Sequence, residues 1–218
     1  MTSTEVDHLV VAAASLEQGV AWCEVTLGIT PGPGGKHPLM GTHNRVFSIA
    51  STAFPSAYFE IIAIDPEAPP PPRRRWFGLD DPTLQQRIAH APRLVHLVAR
   101  SRMLNMHRGG LVNVGIDPGL PLAMSRNTLQ GHLAWQVLVR EDGALQLGGA
   151  LPTLIQWDGT HPTEHMANSG VELRELQLGG LPPPVRQLLA LQGVAHAPAP
   201  ALRAVLSTPL GDVTLETA

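Results

Sequence analysis

The chain has 218 residues, of which 44% are hydrophobic and only 15% charged, and a net charge of −3. That balance excludes charge-driven disorder, and at roughly 100–200 residues per domain the length fits one large domain or two small ones. Mild acidity, 4% aromatic content, a single cysteine and the lack of an apolar run of about 20 residues argue against nucleic-acid partners, membrane spans, a disulfide framework and a Cys-rich zinc site.

The polar start, Met1–Asp7, lacks the basic and apolar stretches of a signal peptide, so a cytoplasmic address is expected. Val6–Ala14 reads as a buried strand rich in β-prone residues. Ser15 is a helix N-cap, Leu16, Val20, Cys23 and Leu27 follow at helical spacing, and Gly28 stops the helix. Cys23 lies on that apolar stripe, which marks an inert thiol. Residues 29–40 form a Gly/Pro loop, and strands are expected at Arg45–Ala50 and Tyr58–Ile64. Along the second of these, Tyr58, Glu60, Ile62 and Ile64 share one face.

Pro66–Pro72 and Arg73–Arg75 read as a stiff linker, pinned back by Trp76, Phe77 and Leu79. A second unit begins with a strand at Leu94–Ala99 and a short helix at Ser101–Arg108 ended by Gly109-Gly110. Strands follow at His132–Arg140 and Leu151–Trp157. A third stretch has a strand at Val171–Leu178, a helix opened by Pro182–Pro184, and a hairpin of Leu202–Leu206 with Val213–Leu215.

Particular residues carry a resemblance. They are Asp7-His8-Leu9-Val10-Val11, the helix ending Leu27-Gly28, the run His37-Pro38-Leu39-Met40-Gly41-Thr42-His43-Asn44-Arg45, and Tyr58-Phe59-Glu60-Ile61-Ile62. Later come Ser125-Arg126, Gly131-His132-Leu133-Ala134-Trp135, Leu154-Ile155-Gln156-Trp157-Asp158 and His161-Pro162. From Asp7 to about Val213 the chain resembles the glyoxalase-like domain family of the vicinal oxygen chelate (glyoxalase/bleomycin resistance/dioxygenase) superfamily. The resemblance implies an α+β fold of paired βαβββ modules, curled into a half-barrel around a ligand cleft. The organisation expected is a first module at 1–65, a Pro/Arg-rich linker at 66–90, and a second module at 91–218 with a C-terminal βαββ extension. It implies a divalent metal ion held by His8 and Glu60, with Glu60 catalytic. His96 opens the second unit, two residues later than the first-module spacing, and is the best third ligand. The last strand of that unit has no acidic residue inside it.

The residues carry their own readings. Glu60, inside an apolar strand, faces a functional cleft or water. His96 is a metal ligand or a satisfied core histidine. His37, Thr42 and Asn44, beside a Gly-rich loop, offer polar groups to a ligand or form a structural turn. Arg126 suits an anion, and Trp135 and Trp157 a flat ligand or the core. His161-Pro162-Thr163-Glu164-His165 matches the H-x-x-E-H zinc-protease pattern, although Pro162 sits badly in it and His161 lining the cleft is the simpler reading. The expected function is a metal-dependent lyase, isomerase or dioxygenase acting on a small oxygenated molecule. The alternative is a non-catalytic small-molecule or antibiotic binding protein using the same cleft without metal. A homodimer is the default assembly.

Overall fold

The computed structural model describes residues 3–128 and 131–217. Strand β1 (Glu5–Ala12) leads to helix α1 (Leu16–Leu27), where Ser15 Oγ accepts the Gln18 N–H and Gly28, in the left-handed region, ends the helix. Gly19 lets α1 lie directly on the sheet: a Cβ there would come 2.4 Å from the Ile61 side chain. Cys23 is buried in this interface, and burial pushes its thiol up to about 12. Strands β2 (Lys36–His37), β3 (Thr42–Ser48) and β4 (Tyr58–Ile64) complete the first unit. A single helical turn at Trp76–Gly78 and helix α2 (Pro82–His90), N-capped by Asp81, precede β5 (Arg93–Arg100). Helix α3 (Leu104–Asn113) and strands β6 (Leu120–Thr128), β7 (Gly131–Val139) and β8 (Thr153–Asp158) follow. Then come β9 (Glu172–Gly179), α4 (Pro183–Leu189), β10 (Val194–Ala197), β11 (Leu202–Thr208) and β12 (Gly211–Glu216).

The large mixed sheet runs β2-β3-β4-β1-β5-β8-β7-β6. In each half the first strand lies parallel to the last, β1 with β4 and β5 with β8, while the others pair antiparallel. The two halves are therefore βαβββ modules of the same topology, and together they curl into an open half-barrel. They join at an antiparallel seam where Leu9 faces Leu97. Each seam strand carries a bulge, at Asp7 in β1 and at Val95 in β5, each two residues before its seam leucine.

The convex face packs α1, α3 and the second sheet around Leu9, Val11, Phe59, Ile61 and Leu97. That second sheet, ordered β10-β9-β11-β12, is tied to the first half by backbone bonds from Leu173 N–H to Ile49 and between Thr4 and both Leu189 and Gln192. The concave face carries Val10, Ile62, Val98, Trp135 and Ile155, covered by Trp76, Phe77 and Leu79.

Four elements differ from the sequence expectation. Helix α2 lies within the stretch 66–90 expected to be a linker. The third stretch has an additional strand, β10. Helix α3 runs past Gly109-Gly110 because Gly110 serves close packing: a Cβ there would meet Leu188 on α4 at 2.6 Å. Strand β6 is the outer edge of the sheet, the place where its Pro121 is tolerated. Among the described residues no helix is long and apolar enough to cross a membrane.

Candidate functional site

The site begins with the bulge. On a regular strand Asp7 and His8 would face opposite sides of the sheet. The extra residue turns them together, and Asp7 Oδ1 accepts a 2.6 Å hydrogen bond from His8 Nδ1. The other oxygen, Asp7 Oδ2, accepts Trp157 Nε1–H at 2.9 Å and His161 Nε2–H at 3.1 Å. His161 Nδ1 in turn accepts the Thr163 backbone N–H at 3.3 Å, which fixes the Nε2–H tautomer. On the far side of the imidazole, His8 Nε2 lies 3.4 Å from Glu60 Oε2. Glu60 Oε1 accepts a 2.6 Å bond from Asn44 Nδ2. Asn44 Oδ1 is held by the Gly35 N–H at 2.7 Å. The loop lies this close because residue 34 is glycine, where a Cβ would come 2.0 Å from the Asn44 carbonyl oxygen.

The electrostatics follow from this chain. Burial alone would push the proton off His8, but the hydrogen bonds and charges of Asp7 and Glu60 outweigh it and raise its pKa to about 9. Burial would likewise raise both carboxylates. Hydrogen bonds from His161 and His8 instead hold Asp7 well below the usual range, and the His8 bond and charge bring Glu60 down to about 2. His8 is thus an imidazolium between two buried carboxylates.

Around it is a small cavity of about 40 Å³. His8, Glu60, Asn44, His37, Trp135 and Trp157 line it. So do Arg126, Tyr58 stacked on His8 at 4.4 Å, and the cover residues Trp76 and Phe77. His37 is kept neutral, its pKa lowered to about 4 by burial, and Thr42 sits behind it with its hydroxyl 3.1 Å from Nδ1. Thr42 therefore positions His37 rather than facing the cavity. The Arg126 guanidinium reaches over Gly35 and lies 3.5 Å from Asn44 Oδ1. No carboxylate pairs with it among the described residues, and its Nε has no partner.

His96 stands apart. Both seam bulges lie one residue before a histidine, so His96 is the structural counterpart of His8, with no two-residue offset. The counterpart of Glu60 is Thr153, because Val10 pairs with Glu60 as Val98 pairs with Thr153. His96 Nε2 accepts the Thr153 backbone N–H at 3.1 Å and lies 3.0 Å from its hydroxyl. The Phe77 ring is 5.3 Å from the His96 ring and lines the His8 cavity on its other side. His96 is thereby held on Thr153 and does not line the His8 cavity, although the His8 charge still helps to lower its pKa. Among the described residues no three His, Cys, Asp or Glu side chains gather as a metal site. The donors present do not fit a metal held by both halves.

The H-x-x-E-H run is not a helix face. Residues 162–165 form one 3-10 turn, in which Glu164 accepts the His161 backbone N–H at 2.8 Å as a capping box. Sequence reasoning missed Asp7, Tyr58 and Phe77 as parts of the site. Asp7 stands next to His8, and on a strand without a bulge the two would face opposite sides, so adjacency alone does not point to it.

The family model of the glyoxalase-like domain matches residues 6–191. The chain belongs to the glyoxalase-like domain family. Among solved structures, this glyoxalase-like chain is similar to a hypothetical protein from Staphylococcus aureus, with 13% identity, TM-score 0.56, and coverage of 98% of this chain and 85% of that one. It also matches methylmalonyl-CoA epimerase from Streptomyces coelicolor at 12% identity and TM-score 0.43, covering 74% of this chain and 99% of that one. The epimerase from Mycobacterium tuberculosis matches at 14% identity and TM-score 0.39, covering 71% and 87%. These likenesses concern the fold. No curated protein matches the chain.

Proposed function

We propose that this glyoxalase-like chain is an enzyme of isomerase or lyase type that moves a proton on a small, oxygenated, negatively charged molecule. The observation that carries this is the 3.4 Å gap between His8 Nε2 and Glu60 Oε2, longer than a settled hydrogen bond although both groups are charged and buried. A substrate oxygen entering the gap would take the His8 Nε2–H. Glu60 would then lose part of the His8 contact and charge that hold its pKa down, and would become the base beside that oxygen. Asn44 fixes the other Glu60 oxygen. Negative charge developing on the substrate would be met by the imidazolium, and the unpaired Arg126 would anchor a carboxylate or similar oxyanion.

The family's divalent ion has two side-chain donors here, His8 and Glu60, and the second-half donors are replaced by Thr153 and by a His96 turned to it. Proton movement is assigned to the His8 and Glu60 side chains themselves.

The test is proton exchange. Small 2-oxo and 2-hydroxy acids are incubated with the protein in D2O and followed by NMR. Exchange at the carbon next to the carbonyl, lost in Glu60→Gln, is the expected result. A ligand that binds the cleft without exchange would favour the second reading, a binding module. What favours that reading is Thr153, which leaves the cleft with one acid–base pair instead of two.

A further inference from the structure

A larger cleft lies on the other side of Phe77, with a volume of about 860 Å³. It is formed by the start of α2, the start of β5, the 142–148 loop and the end of β12. Its size is that of a site for a larger small molecule, whereas the inner cavity of about 40 Å³ suits only a molecule of a few heavy atoms.

Its charges are unequally spent. The carboxylates that line it are engaged: Asp80 by Arg75 at 2.6 Å, Asp142 by Arg140 at 2.6 Å, and Glu216 by Arg203 at 3.1 Å. Asp81 accepts the Thr83 N–H at 2.7 Å as the cap of α2. The lining arginines Arg74, Arg87 and Arg93 have no ion pair or side-chain hydrogen bond among the described residues. Apolar walls are supplied by Phe77, Leu84, Val95 and Leu145. Arg87 and Arg93, with Arg74 beside them sharing the charge of Asp80, set guanidinium groups over apolar walls and suit clustered negative charge on a molecule with a flat, apolar part.

We infer that this outer cleft is a second binding site, for a phosphorylated small molecule with an aromatic or apolar portion. It stands apart from the proton-transfer reading, since none of its arginines touches His8 or Glu60.

Isothermal titration of the whole protein at low salt tests it, with ADP and inorganic pyrophosphate as probes. ADP should bind, and more tightly than pyrophosphate because of the apolar walls. The exposed pair Arg87→Ala with Arg93→Ala should weaken ADP at least tenfold while leaving the melting temperature near that of the parent. Glu60→Gln, which ends the inner chemistry, should leave ADP affinity within twofold. The inference is overturned if the parent binds neither probe at millimolar concentration, or binds both equally. It is equally overturned if the double variant binds like the parent, or if Glu60→Gln abolishes binding.

Discussion

The two halves of the large sheet share a topology, a seam and a bulge, yet their histidines are opposites. His8 is held protonated at about 9 and His96 is stripped of its proton down to about 3. Both rings are buried, so burial does not separate them. Their neighbours do. In the first half the bulge residue is Asp7 and the partner on the next strand is Glu60, while in the second these places hold Val95 and Thr153. With a carboxylate on each side the imidazole keeps its charge. With a valine and a threonine it is a neutral acceptor for a backbone N–H. Fold symmetry alone therefore does not make a two-sided site; the two carboxylates do.

The comparison can be broken at its strongest point first. Glu60→Gln should lower turnover in the exchange assay by about 10²–10⁴-fold, the usual contribution of a positioned acid–base group. Asp7→Asn should cost about 3–5 kcal/mol in urea unfolding, because it leaves the His8 imidazolium facing one carboxylate fewer and sets an amide NH2 against either the His8 donor or the two donors of Trp157 and His161. The equivalent change in the other half should be milder. His96→Leu should cost about 1–3 kcal/mol by orphaning the Thr153 N–H, and leave turnover within about twofold.

The pH dependence separates the halves by sign. His8 has a folded pKa raised above its ordinary 6.5, so its contribution is full below about 6.5 and is lost as pH rises through about 9. His96 and His37 have folded values lowered to about 3 and about 4, so stability falls as pH drops below about 6.5 and the unfolded chain takes up their protons. Urea midpoints should peak near pH 6.5 and fall on both sides of it, and His96→Leu should flatten only the acid side. The smallest expected effect is that of a chelator: EDTA should leave proton exchange unchanged, and loss of exchange restored by a divalent ion would make His8 and Glu60 metal donors after all.

Much of this was legible in the chain. Alternation along Tyr58–Ile64 separated Glu60 from Phe59 and Ile61, because that strand is regular and those two fill the core on its other face, but it left open whether the Glu60 face meets a cleft or water. Ser15 and Gly28 bounded α1 by ordinary capping chemistry. What failed were features that only pairing creates. A bulge leaves no trace in the alternation of a strand whose residues are nearly all buried, so Asp7 went unrecognised. Phe77 reaches both His96 and the His8 cavity because its backbone adopts φ 56 in a turn anchored by a bond from Gly78 N–H to the Gly143 carbonyl, far along the chain. Arg126 was legible as a residue type, but its place over Gly35 comes from the curl that brings the edge strand β6 across the cleft.

The backbone bonds that Thr4 exchanges with Leu189 and Gln192 have a mechanical meaning. They clamp β1 three residues before Asp7, so the C-terminal sheet braces the strand that carries the charged triad. Leu173, Leu176, Leu178, Leu202 and Leu206 share one continuous core with Leu9, Phe59 and Leu97. Unfolding should consequently be a single cooperative event, with the Thr4 amide exchanging its hydrogen no faster than those at the seam. A chain cut before β9 would lose not an appendage but the anchor of its own first strand.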